Sequence, residues 1–394
     1  MDDITKQFPK SEKGKLNIYF HISENSGVGF YRQYMPAVAL RENGIANVMI
    51  SDFRWGEGNH LEPEVPLLFD LANWADVIVA GRRDIPQFYA QWGGIRDFFN
   101  IPIVLDTDDN VRFVRPQNPG YAGYYPGAES ITWNKYSISK VFDAITVSTD
   151  NLKEFHKKEN PKIYVTPNNI VMKEWDALLK KNHNDGFTRI GFIASAAHAE
   201  GVNIIKAPLL KIMQEYPKVK FLLTHIYRHM FNDWPQDIQN RIEAIPWIKL
   251  QDWPKGSKEL GIDIGLAPLA DNMFNRAKSN LRWMEYGAAK TAPIVSPVEA
   301  YKCVVNGKTG LVAKEKEEWY NAIKSLLDNK QLLYNVSEGA YNEVKTQYDI
   351  DKNIGHWEKT YRSIHDKFHE FFGPKKNYLK LNKKGKYQLI KTPY

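Results

Sequence analysis

Cysteine is almost absent. The 394-residue chain holds one, Cys303, which excludes an internal disulfide framework and a cysteine-based zinc site and fits a reducing, cytoplasmic setting. Long apolar runs are missing too. None reaches the roughly 20 residues of a membrane-spanning helix, and the opening MDDITKQFPKSEKGK is polar, without the apolar centre of a signal peptide. No P-loop, no Ser-His-Asp order and no zinc-spaced histidine set occurs. The ten histidines are scattered, and HIYRH (225–229) reads as a loop feature. Acidic residues are absent from 375–394, where seven lysines (375, 376, 380, 383, 384, 386, 391) equal the net charge of +7. The rest of the chain is therefore near neutral, and a basic groove tracking nucleic acid through the protein is not expected. The tail alone remains as a contact for an anionic membrane surface, giving a peripheral location, or for nucleic acid.

What is present is the composition of a soluble globular protein, 43% hydrophobic and 25% charged, with length enough for two domains. Short β-rich runs alternate with helical ones. KLNIYFHI (15–22), NVMISD (47–52), DVIVAG (76–81), IPIVLD (101–106), DAITVST (143–149) and KIYVTPNN (162–169) read as strands, and FYRQYMPAVALREN (30–43) as an amphipathic helix. MKEWDALLKKNHNDG (172–186) is polar, a linker or surface helix. The pattern then restarts with TRIGFIAS (188–195), VNIIKAPLLKIMQEY (202–216), VKFLLTH (219–225), IKLQDW (248–253), IDIGLAPL (262–269) and APIVSP (292–297). The expectation is α/β, two doubly wound parallel sheets. The domains would be 1–170 and 188–350, joined by a linker at 171–187, then a helix at 351–373 ended by Gly373-Pro374, and a basic tail at 374–394. In the tail, NYLKLNKKGKYQLIK alternates around a Lys-Lys-Gly turn and reads equally as a hairpin or as disorder.

Ligands of doubly wound sheets bind beyond the carboxyl ends of the strands. After the first strand, Gly27 and Gly29 would allow close backbone approach, with Arg32 in the next helical turn; a tight strand-to-helix turn explains them as well. Asp106, Asp108 and Asp109 crowd one strand end, suited to a cation or to sugar hydroxyls, or to a solvated loop with Asx turns. Arg82 and Arg83 could meet an anionic acceptor or make surface salt bridges. The loop IASAAHAEG (193–201) offers Ser195 and His198, although a lone histidine is more often structural. The strongest segment is FNRAKSNLRWMEYGAAKTAPIVSP (274–297). Ser279 is a good N-cap, with Asn280 behind it, Lys278 supplies a charge for phosphate, and residues 278, 282 and 285 share one helical face. Leu281, Met284 and Ala288 form the stripe expected on the sheet, which puts Glu285 at its edge, where a carboxylate accepts two ribose hydroxyls. A surface Arg282–Glu285 pair would explain Glu285 but not Lys278 and Ser279.

Over about residues 15–350 the chain resembles retaining glycosyltransferases of the GT-B fold, the "glycosyl transferases group 1" family. The resemblance is strongest in 263–313, where AAKTAPIVSP and VNGKTGLVA stand for that family's "G-x-P-V-x-x-S" and "N/D-G-x-T-G-x-L". SGVGFYRQYMPAVAL is similar to its N-terminal glycine loop, and IGFIASAAHAEGVNIIKAPLLKI to the first strand–loop–helix of its donor domain. Of the family's two glutamates, Glu285 matches the second and Ala277 stands for the first. The usual donor-phosphate arginine and lysine fall on Ser195 and Glu200, and Asp108 occupies the place of a frequent histidine. The stretch 277–286 matches a sub-group with "A-K-S-x-L-R/K-x-x-E-Y".

The resemblance implies two Rossmann-like domains facing a cleft, acceptor on the N-terminal side and a UDP- or GDP-sugar on the C-terminal side. The final helix would return to the N-terminal domain. It further implies transfer with retention and without metal or cofactor. Lys278, Asp108 and His198 would be catalytic. Gly27, Gly29, Ser195, Lys278, Ser279, Asn280 and Glu285 would hold the donor, and Arg32, Arg82, Asp106 and Asp109 would lie on the acceptor side. The acceptor would be a glycan, lipid-linked sugar, protein or modified DNA. A degenerate nucleotide- or glycan-binding protein and a sugar-nucleotide epimerase are the alternatives.

Overall fold

Twelve short strands form two parallel six-stranded sheets. The computed structural model describes residues 9–22, 26–51, 65–376, 379–381 and 387–389; the start of the chain to residue 8, residues 23–25 of the glycine loop and the Lys-Lys-Gly turn at 383–385 lie outside them. The chain divides into two units, Met1–Asp108 with Gly127–Pro167 and Ile350–Tyr394, and Asp109–Pro126 with Asn168–Asp349.

In the first unit, β1 (Asn17–His21), β2 (Asn47–Ile50), β3 (Val77–Gly81), β4 (Ile103–Thr107), β5 (Ala144–Val147) and β6 (Ile163–Val165) take the order β2-β1-β3-β4-β5-β6. Every residue of β1, β3, β4 and β5 is buried, as a parallel sheet covered on both faces requires. The helix expected at 30–43 is two elements, a π-helical turn Gly29–Tyr34 and α1 (Met35–Glu42). Phe30, Tyr31, Arg32 and Gln33 are buried in succession, so an amphipathic pattern does not describe this stretch.

Arg32 and Asp106 therefore do not face an acceptor. Both side chains are 0% exposed and pair with each other, Nε to Oδ1 at 3.0 Å and Nη2 to Oδ2 at 2.8 Å. Thr146 Oγ1 donates to the same carboxylate at 2.7 Å, and Arg32 also donates to the carbonyl and hydroxyl oxygens of Thr166. The Trp357 ring lies 4.9 Å from the guanidinium carbon. A buried charge persists only when paired and hydrogen-bonded, and this cluster ties the first helix to β4, β5 and the end of β6.

In the second unit, β7 (Thr188–Phe192), β8 (Val219–Thr224), β9 (Ile242–Ile245), β10 (Ile264–Ala267), β11 (Ala292–Val295) and β12 (Leu311–Val312) take the order β12-β11-β10-β7-β8-β9. Read from β9, the winding runs 3-2-1-4-5-6, so it reverses between β7 and β10. IKLQDW forms no strand; the third strand of this sheet lies just before it, at IEAI. α2 (Ala199–Glu215) lays Val202, Ile205, Leu209, Ile212 and Met213 on Ile190, Phe192, Phe221 and Leu223, all fully buried. Each such side chain contributes about 1.5–3 kcal/mol. α3 (Leu281–Ala288) buries Trp283, Met284, Tyr286, Gly287 and Ala288, a wider face than the expected stripe. It lies so close to α4 (Lys330–Gln347) that a Cβ on Gly287 would come within 2.8 Å of Val344 and 3.0 Å of the Ala340 carbonyl oxygen.

The segment at 171–187 contains a short helix, Met172–Asp176, whose Trp175 is 2% exposed. Lys180 Nζ donates to the Lys290 carbonyl at 2.8 Å. α5 (Ile350–Phe372) belongs to the first unit and buries Ile354, Trp357, Tyr361, Ile364 and Phe368. Beyond it Leu379–Leu381 and Tyr387–Leu389 pair antiparallel, with Lys380 opposite Gln388. Among the described residues no helix is long and apolar enough to cross a membrane.

Substituting Arg32→Met leaves the Asp106 carboxylate buried without its cation. A loss of about 3–5 kcal/mol is expected from urea unfolding, with most of it recovered in Arg32→Met/Asp106→Leu.

Candidate functional site

The reversal between β7 and β10 directs attention to the loops after those two strands. After β7 the chain passes Ser195, makes one tight turn at Ala196–His198 and enters α2. That entry is pressed against the end of β10, because a Cβ on Gly201 would lie 2.8 Å from the Pro268 carbonyl oxygen. Tyr227 braces the loop, its hydroxyl donating to the Ser195 carbonyl and accepting from the His198 N–H at 3.3 Å. Ser195 itself is exposed. His198 Nδ1 is sealed from solvent and has no hydrogen-bond partner. Burial holds the imidazole well below its ordinary pKa, and the nearby positive charges of Arg282 and Lys278 push it further down.

After β10 the chain forms the one-turn helix Met273–Arg276 and then reaches Lys278. Lys278 does not stand in bulk solvent. Its side chain is 15% exposed, with Nζ 4.5 Å from the Phe274 ring centre and 3.5 Å from Asp109 Oδ1. Asp109 thus belongs with Lys278. Asp106 turns to Arg32 instead, so the acidic cluster does not converge, and among the described residues no group of three or more metal-ligating side chains does. Ser279 is not the N-cap. The cap position of α3 falls one residue later, on Asn280, whose amide meets Cys303 Sγ at 3.2 Å rather than capping the helix. The Ser279 hydroxyl accepts from Asn168 Nδ2 at 2.8 Å.

Arg282 is the residue the sequence reading passed over. Its guanidinium donates to the Ile193 carbonyl at the end of β7 and lies 5.7 Å from the Phe192 ring. Its place on the face shared by 278 and 285 was the available signal. Glu285, half-buried on that face, is close enough to raise the pKa values of Tyr286 and Tyr301, which burial already pushes up and Arg282 pulls down. The second unit therefore gathers His198, Lys278, Arg282 and Asp109 near the carboxyl ends of β7 and β10. Two cations and a partnerless imidazole nitrogen suit a polyanion such as a diphosphate.

The remaining candidates lie in the first unit. Gly27 and Gly29 begin the helical stretch that follows β1, without left-handed backbone, and among the described residues a Cβ on Gly27 would meet Tyr31 at 4.0 Å. Arg82 pairs with Asp84 at 2.6 Å and is 14% exposed, an intramolecular role in place of an acceptor contact. Asp108 follows β4 and is half-buried.

No protein-family model matches the chain, and no curated protein matches its sequence. Solved structures do. HepE from Anabaena, in complex with UDP-glucose, superposes with a TM-score of 0.62 at 13% identity, over 88% of this chain and 100% of that one. A glycosyltransferase from Rickettsia africae gives 0.62 at 14%, over 89% and 99%. Sucrose-phosphate synthase from Thermosynechococcus elongatus gives 0.62 at 12%, over 90% and 100%. The fold is that of the GT-B glycosyltransferases, with two Rossmann-like domains.

The unfolded chain protonates His198 near pH 6.5, while the native ring stays neutral well below that. The site carries no penalty above about pH 7 and a growing one as pH falls through 6.5. In urea unfolding at pH 7.5 and 5.0, His198→Gln should lose less stability between the two than the parent does.

Proposed function

We propose that the protein transfers a sugar from a nucleoside-diphosphate sugar, with UDP as the favoured nucleotide, to an acceptor hydroxyl, with retention and without a metal ion. The observation that carries this reading is the meeting of His198, Lys278 and Arg282 at the winding reversal of the second unit. It is supported by the likeness to structures of a protein that binds UDP-glucose and of other glycosyltransferases.

In this mechanism the acceptor oxygen bonds to the anomeric carbon as the bond from that carbon to the diphosphate oxygen breaks. The leaving oxygen takes the acceptor proton, and attack on the face it vacates preserves configuration. Charge builds on the diphosphate, and fixed cations stabilise it there more than in the intact donor. Lys278, now shared with Asp109, would turn to the phosphates, and Arg282 and the His198 ring would complete the cradle. The orphan nitrogen of His198 gains a partner from a phosphate oxygen when protonated, so donor binding draws a proton onto the ring. Glu285 would accept the ribose hydroxyls. Ser195, Ser279 and Asn280 would line the donor site.

One observation favours altered chemistry within the same fold. Glu200, where a phosphate-binding lysine is usual in the resembling family, accepts from Asn272 Nδ2 at 3.1 Å and lies 3.6 Å from Arg115. A binding protein without transferase activity would hold UDP yet release none from any UDP-sugar, and an epimerase would turn the donor over with no acceptor. The lysine-rich tail fits contact with an anionic membrane surface.

Lys278→Ala and Arg282→Ala should each lower kcat by about 10²-fold, measured as UDP release from a UDP-sugar panel; parental rates would refute the assignment. Glu285→Ala should weaken UDP binding about tenfold in calorimetry, with a much smaller effect on kcat. Removing residues 374–394 should abolish salt-sensitive sedimentation with phosphatidylserine vesicles; retention of binding, or a preference for single-stranded DNA, would refute the membrane role.

A further inference from the structure

Next to Lys278 the second unit contains a cavity of about 290 Å³ that the donor site does not use, lined by Phe113, Arg115, Asn272, Met273 and Arg276. One wall comes from the turn Val111–Phe113 and the residues after it, the other from the one-turn helix Met273–Arg276. Both walls begin close to the Lys278–Asp109 contact, since Phe113 follows Asp109 by four residues and Arg276 precedes Lys278 by two. The cavity therefore borders the place proposed for the leaving diphosphate.

Its chemistry has two parts. Phe113 and Met273, 39% and 47% exposed, give the cavity its apolar lining. The charges around it are paired. Arg276 holds Asp271 through Nε at 2.6 Å and Nη2 at 2.9 Å, Arg115 lies 3.6 Å from Glu200, and Asn272 donates to that same Glu200. An anionic ligand would have to compete with these carboxylates for the guanidiniums, and an aliphatic one would strip water from the pairs without replacing it. A neutral pyranose meets both conditions. Its C–H face lies on an aromatic ring, and its hydroxyls both donate and accept, matching fixed guanidinium–carboxylate pairs. The segment Asp109–Pro126 that supplies Phe113 and Arg115 also carries Tyr121, Tyr124 and Tyr125, the last 49% exposed.

We propose that this cavity is the acceptor subsite and that the acceptor is a neutral oligosaccharide, one hexose ring seated on Phe113 between Arg115 and Arg276. The proposal rests on the transferase reading for the word acceptor, but the sugar site itself is testable without turnover.

The full-length protein is applied to an array of neutral and uronic-acid-containing oligosaccharides, and the best-bound glycan is then titrated against the parent, Phe113→Ala and Arg115→Met. The expected result is retention of neutral glycans, with affinity about tenfold weaker in each variant and UDP affinity unchanged. Phe113 and Arg115 are both exposed enough that their loss should leave the melting temperature unmoved, which a thermal scan checks. Preference for acidic glycans, glycan binding unaffected in both variants, no glycan retained by a parent that binds UDP, or an equal loss of UDP affinity would each overturn the proposal. UDP release from the donor panel is scored separately. Neutral-glycan binding lost in the variants, beside a parent that releases no UDP, would defeat the transferase reading while leaving the sugar site standing.

Discussion

A parallel sheet whose winding reverses must leave the loops on either side of the reversal uncovered, because the connections that follow them cross to opposite faces. In the second unit that constraint falls on the loops after β7 and β10, where the proposed donor site lies. The sheet brings the His198 turn beside the Lys278 segment although eighty residues separate them in sequence. Packing fixes the approach. Gly201 lets α2 touch the end of β10, and Arg282 reaches from α3 to the Ile193 carbonyl just after β7. Positive charge is thereby held in a partly buried place where water screens it little.

Asp109 completes this arrangement. Its carboxylate sits 3.5 Å from the Lys278 ammonium and keeps that charge from being stranded. In the proposed donor complex a diphosphate, carrying more charge than one carboxylate, would take the lysine over. Because Asp109 begins the segment that also carries Phe113 and Arg115, the proposed phosphate site and the proposed sugar cavity share one short stretch of backbone.

Much of this was legible in the residues. Apolar runs of four to six between helical stretches gave the parallel strands, since strands buried on both faces need no alternation. IEAI escaped because its glutamate breaks the run and its burial is incomplete. The cap of α3 slipped by one residue because Ser279 is engaged by Asn168, a partner 111 positions away. Arg32 and Asp106 looked like ligand-facing charges because local sequence does not reveal that Thr146, Thr166 and Trp357 enclose them. Arg282 was misjudged for the opposite reason. An i, i+3 neighbour of opposite sign was at hand, while the local sequence gives no sign that the side chain also reaches the Ile193 carbonyl just after β7.

The two units are interleaved along the chain. Residues 109–126 leave the first half to join the second unit, and α5, beyond residue 349, completes the first. Neither unit can thus be cut out as one contiguous piece. On the ribosome the strands of the N-terminal sheet are synthesised long before Trp357, Tyr361 and Phe368, which are buried in the same unit. Until α5 has emerged that sheet lacks part of its cover, and exposed apolar surface of this kind is what chaperones bind.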